Sequence, residues 1–170
     1  MIERAKKIKW LLLDVDGTLT DGKICMDNNG IETKNFNVKD GFAIANAIKY
    51  GLNIGIVTGR NSEIVKRRAE ELKIHEIYQN VKDKTKILNE IENKYNLDRS
   101  EICYIGDDIN DLGIMKQVGF AASPNDCVTE IKKISHMISS KNGGEGAVRE
   151  IIEFILNSQG IWDKIIKSYN

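Results

Sequence analysis

The chain has 170 residues, 41% of them hydrophobic and 29% charged, with 25 Lys plus Arg balancing 25 Asp plus Glu. That length supports one domain with a real hydrophobic core. The zero net charge excludes bulk electrostatic recruitment of nucleic acid or an anionic membrane. The basic N-terminus (Arg4, Lys6, Lys7, Lys9) precedes only the apolar run Trp10–Leu13, too short for a signal segment or a membrane span, so a cytoplasmic home is the default expectation. Cys25, Cys103 and Cys127 are isolated and odd in number, which fits buried reduced thiols rather than a disulfide framework or a metal site. His75 and His136 are isolated too and read as structural or surface residues.

In chain order, residues 9–15 read as a buried strand that ends in Asp14 and Asp16. Residues 23–38 read as a β-hairpin turning at Asn28-Asn29-Gly30. The run from Asp40 to Gly51 reads as a helix with an aspartate cap and a glycine stop, offering Phe42, Ile44, Ala45 and Ile48 for packing. A β-branched strand follows to Thr58-Gly59-Arg60, and then a helix opened by Ser62. Residues 75–79 suit a short strand, and Ile87, Leu88, Ile91 and Tyr95 fall at helical spacing. The chain then alternates a buried strand at 101–108, a helix at 111–119, a strand at 120–123, a helix at 126–134, a strand at 136–139 and an amphipathic helix from 144. Trp162 and Tyr169 lie in a tail that is left open between packing on its own core, docking on a neighbour, and fraying. No repeat or low-complexity linker interrupts the chain.

Strand–helix alternation with apolar strands predicts an α/β fold, a three-layer parallel sheet with helices on both faces. Ligands of such sheets bind at the carboxyl ends of the strands. Here those ends carry Asp14 and Asp16, then Thr58, Gly59 and Arg60, then Asp107 and Asp108, with Lys84 opening the helix after the short strand. Clustered carboxylates need a counter-charge, and an all-oxygen donor set with few carboxylates suits Mg²⁺. Asp14 and Asp107 are the natural ligands, and a backbone carbonyl near Asp16 adds a third. The Thr58 hydroxyl, the Lys84 ammonium and backbone N–H groups around Gly17 and Gly59 suit phosphate oxygens.

Four motifs in order, Asp14-Val-Asp16-Gly-Thr-Leu-Thr, Val57-Thr58-Gly59-Arg60, Lys84 and Gly106-Asp107-Asp108-Ile-Asn-Asp111, resemble those of the haloacid dehalogenase-like phosphotransferases over almost the whole chain. The resemblance implies that Asp14 is a nucleophile forming an aspartyl-phosphate and that Asp16 is the acid and base. It implies Mg²⁺ held at Asp14, Asp16 and Asp107, with Thr58 and Lys84 holding the transferring group. Asp108 and Asp111 are read as orienting Asp107 and Lys84 from behind. A phospho-acceptor receiver module uses similar residues, but in it the acidic pair comes first, whereas here it comes last.

Only about forty residues separate Asp16 from the second motif, too few for a cap domain. The segments "DVDGTLTDGKI", "FNVKDG", "TGR", "GDDIND" and "GGEGAVRE" together resemble the 3-deoxy-D-manno-octulosonate 8-phosphate (KDO 8-phosphate) phosphatases, a capless, tetrameric family whose hairpins build a barrel and whose subunits share sites. That likeness implies a sugar-acid phosphate substrate, a homotetramer, and substrate contacts at Asn37, Val38, Lys39, Asp40, Gly41, Ala45, Arg60, Arg68 and Lys84. Lys39 stands where many relatives are expected to carry Arg. The nearest rival is a sialic-acid-type 9-phosphate phosphatase, from which Arg60 turns the reading toward the eight-carbon acid. Gly143, Gly144 and Gly146 read as a loop before a helix, free to approach a ligand closely.

Overall fold

The computed structural model of the protein describes all 170 residues. After a short helix α1 (Ile2–Ala5), the strands are β1 (Trp10–Leu13), β2 (Cys25–Met26), β3 (Glu32–Thr33), β4 (Asn53–Val57), β5 (Glu76–Tyr78), β6 (Ile102–Ile105), β7 (Phe120–Ser123) and β8 (Met137–Ile138). Six of them form one parallel sheet in the order β5-β4-β1-β6-β7-β8, while β2 and β3 pair antiparallel as the separate hairpin. β1 lies at the centre, with Leu13 opposite Ile56 of β4 and Ile105 of β6.

The three layers follow from the two-residue period of a strand buried on both sides. Leu11 and Leu13 of β1 enter one core, together with Cys103 and Ile105 of β6. Trp10 and Leu12 enter the other, with Ile102 and Tyr104. The first core is covered by α2 (Val38–Lys49), α3 (Glu63–Glu71) and α7 (Ala147–Ser158), through Ile44, Val65, Ala69, Ile151 and Ile155. The second is covered by α4 (Lys84–Tyr95), α5 (Leu112–Met115) and α6 (Thr129–Lys132), through Leu88, Ile91, Ile114 and Ile131. No helix is long and apolar enough to cross a membrane.

Several expectations need correction. The cap of α2 is Asn37, whose side chain accepts the Lys39 N–H, not Asp40. Asp40 sits in the first turn of α2, buried, and accepts the Arg149 N–H at 2.7 Å in the first turn of α7. It thus supplies the side-chain cap that Gly146, the residue before α7, cannot. Ser62 stands before α3 but makes no capping hydrogen bond. The helices expected at 111–119 and 126–134 shrink to the four-residue α5 and α6. Cys25 is exposed on the hairpin, unlike buried Cys103 and Cys127. The tail forms α8 (Trp162–Lys167) and packs on its own domain: Trp162 is buried under the Arg149 guanidinium, and Tyr169 meets Phe42 and the Asn46 side chain.

Candidate active site

Three adjacent strands deliver the site. Asp14 follows β1, Thr58 follows β4, and Gly106-Asp107 follow β6, so their side chains emerge together at the carboxyl edge of the sheet centre. Asp14, Thr58 and Asp107 line one cleft of about 310 Å³ with Asp16, Gly59, Arg60, Asp108 and Asn110. Lys84 opens α4 beneath it, buried, and donates to Asp14 Oδ1 and Asp111 Oδ1, each at 2.6 Å.

Asp111 is fully occupied. Its Oδ1 also accepts the Tyr104 hydroxyl at 2.7 Å, and its Oδ2 accepts the Asp107 N–H at 3.0 Å. Although Asp14, Asp107 and Asp111 form one tight carboxylate group, Asp111 is spent on holding its neighbours. Asp107 is steadied by the Thr18 hydroxyl at 3.2 Å. The loop must come this close: Gly17 has φ +90°, and a Cβ there would overlap the Asp107 carboxylate.

The electrostatics favour a bound cation. Burial, then repulsion from Asp14 and Asp111, pushes the Asp107 carboxyl up to about 8. Burial and Asp111 raise Asp14 to about 6, against the pull of Lys84. The Lys84 ammonium, which burial opposes, is held protonated by Asp14 and Asp111. One lysine therefore does not neutralise the group. Two carboxylates with raised pKa values and a backbone carbonyl at Asp16 that accepts no backbone hydrogen bond are a hard-oxygen donor set, and they fit a divalent ion such as Mg²⁺.

Asp16 turns its carboxylate away from that group and accepts a hydrogen bond from Lys34. Lys34 is followed outward by Glu32, 3.3 Å away, whose other cationic neighbour is Arg60 at 2.9 Å. Glu32, Lys34 and Asn110 were not singled out from sequence. The first two carried a readable sign, charges two apart on a strand and hence on one face, but nothing in the sequence says which face meets the site.

The other expected contacts lie elsewhere. Asn37, Asp40, Gly41 and Arg68 border a narrow neighbouring cleft, where Arg68 pairs with Glu71 at 2.7 Å. Val38 and Lys39 are exposed, and Ala45 borders a third cleft. Within one chain none of these seven lines the aspartate cleft, because Asn37 and Asp40 are spent on helix ends and Gly41 packs against Arg68. The glycine-rich loop is also tied down. The Gly144 N–H donates to Thr18 O at 3.1 Å, and a Cβ on Gly143 would collide with the Gly17 carbonyl. Its close approach is to the catalytic loop rather than to open space.

The family model for haloacid dehalogenase-like hydrolases matches residues 37–119. A 3-deoxy-D-manno-octulosonate 8-phosphate phosphatase of Yersinia pestis is 37% identical over 159 residues, covering 94% of this chain and 85% of its own. The enzyme of the same description from Escherichia coli K12 is 35% identical over 164 residues, covering 96% and 87%. A crystal structure of the Moraxella catarrhalis phosphatase, described as a complex with magnesium, phosphate and KDO, superposes with a TM-score of 0.97 at 39% identity, over 99% of this chain and 97% of that one. Sequence likeness spanning nearly the full length, carried by a fold that superposes as a whole, places the chain in the 3-deoxy-D-manno-octulosonate 8-phosphate phosphatase family of the haloacid dehalogenase-like hydrolases, as a phosphoric monoester hydrolase.

Proposed function

We propose that the protein hydrolyses KDO 8-phosphate to KDO and inorganic phosphate through an aspartyl-phosphate on Asp14. The observation that carries this reading is the division of labour between two aspartates on one loop. Asp14 is buried and gives one oxygen to Lys84, leaving Oδ2 for attack. Asp16 lies outside the carboxylate group, lining the same cleft two residues further along the loop.

Asp14 attacks phosphorus as the bond to the sugar oxygen breaks, and Asp16 gives that oxygen its proton. Asp16 then takes a proton from water, the water oxygen attacks phosphorus, and the bond to Asp14 breaks to release phosphate. Lys84, the Thr58 hydroxyl and the Gly59 N–H hold the phosphoryl oxygens. Asp14, Asp107 and the Asp16 carbonyl would hold Mg²⁺, which when bound offsets charge on the transferring group. Arg60, at the rim, presents a planar fork suited to the carboxylate of a sugar acid.

The assembly proposed is a homotetramer in the cytoplasm, supplying a lipopolysaccharide precursor. Its support is the hairpin: Ile24, Met26 and Ile31 are each more than half exposed on a two-stranded ribbon that is marginal alone. In that assembly a neighbour covers the open cleft and brings the face carrying Val38, Lys39, Ala45 and Arg68. A phosphate-release assay across sugar phosphates, with KDO 8-phosphate beside sialic acid 9-phosphate, tests the substrate. The eight-carbon acid is expected to be turned over fastest, and faster release from the nine-carbon acid would overturn that choice.

A further inference from the structure

Four charges alternate across the mouth of the cleft, and the phosphate chemistry uses only its inner end. Lys34, with a side chain 2% exposed, donates to Asp16 and lies 3.3 Å from Glu32 Oε1. The same Glu32 oxygen lies 2.9 Å from Arg60 Nη2. That oxygen is buried, yet it is aligned for a hydrogen bond with neither cation. Arg60 is the exposed end of the row, at 39%. The hairpin's own fold does not use this row: β2 and β3 pair through residues 25–26 and 32–33, and the turn is closed by Asp27 with Asn29, Gly30 and Ile31.

We propose that Glu32 is an internal competitor at the acid-binding end of the cleft: a carboxylate of the protein that occupies Arg60 before substrate binds, gives way to the carboxylate of the substrate, and so tunes how tightly sugar acids are held. This rests on the sugar-acid reading above. Two observations support the exchange. The Glu32 contact is close but poorly aligned, so a substrate carboxylate that engages the guanidinium fork on both nitrogens replaces it with a better bond. Lys34 stays beside Glu32 after the exchange, so displacement leaves no buried charge unpaired. A phosphate ester without a carboxylate cannot displace Glu32. It binds with Glu32 still on Arg60 and draws nothing from the guanidinium, so Arg60 favours acids while Glu32 tempers how tightly they are held.

The test is steady-state kinetics of Glu32→Gln and Glu32→Ala with KDO 8-phosphate and, as the neutral ester, ribose 5-phosphate. Removing the competitor is expected to lower KM for KDO 8-phosphate by about two- to fivefold, the scale of a partly exposed ion pair. The KM for ribose 5-phosphate should move much less. In an Arg60→Ala background the same substitutions should no longer lower KM for the acid. A rise in KM for KDO 8-phosphate would mean that Glu32 only braces Arg60. An equal fall for both esters would mean that it acts through bulk charge. Either result overturns the exchange while leaving the sugar-acid reading intact. A wild-type protein with no preference for the acid over ribose 5-phosphate would overturn that reading and the exchange with it.

Discussion

Asp14 and Asp107 show how one residue's surroundings set its chemistry. Both carboxyls are raised, to about 6 and about 8, because they are buried close to each other and to Asp111. In the metal-free fold they keep protons that the unfolded chain, with carboxyls near 3.8, has already lost. The folded state thus binds more protons between those values, and these two groups make metal-free stability fall as pH rises from about 4 toward 8. A cation must displace the same protons, so its apparent affinity rises over the upper part of that window. Thermal melts with and without Mg²⁺ should show a larger gain at pH 8 than at pH 6, with activity lost to a chelator and restored by Mg²⁺. An equal gain at both pH values would contradict the assignment of Asp107. Asp14→Asn should lower kcat on the order of 10⁴-fold or more, as loss of a nucleophile does elsewhere. Asp16→Asn should lower it by roughly 10² to 10⁴, the range of acid–base assistance. Steady-state turnover separates the two.

Secondary elements matter here for where they end. β1, β4 and β6 stop at the same level, so short polar loops replace them side by side at the edge. Two further contacts keep that edge in place: Asp40 of α2 caps α7, and the loop before α7 grips the Gly17–Thr20 turn. Asp40→Ala should cost about 1 kcal/mol by chemical denaturation, the usual scale of a lost cap, with little change in kcat. Gly143→Ala should instead disturb the catalytic turn, lowering kcat and Mg²⁺ affinity together, since its Cβ has no room beside the Gly17 carbonyl. The strands, the hairpin and the order of the motifs were legible in sequence because they rest on local period and punctuation: apolar runs, Asn28-Asn29-Gly30, and aspartates closing strands. Asp40 capping a helix more than a hundred residues away was not, since it depends on how α2 crosses α7. The same holds for Lys34 on Asp16, because strand period says which residues share a face but not what that face meets.

At the scale of the whole molecule, the chain presents an open cleft and, beside it, a hairpin that leaves Ile24, Met26 and Ile31 exposed. An open cleft is wet, and water weakens each contact to phosphate. Sedimentation should therefore find a tetramer. Charged substitutions at Met26 and Ile31 should dissociate it and raise KM more than they lower thermal stability. A fully active monomer would refute the shared-cover account. The central claim, that phosphate passes through Asp14, is tested most directly by acid-quenching Asp16→Asn during turnover of KDO 8-phosphate. Peptide mass spectrometry then locates the bound phosphoryl group. The account predicts one phosphoryl group on the peptide carrying Asp14, absent from Asp14→Asn. A variant that releases phosphate with that peptide unmodified at every quench time would contradict it.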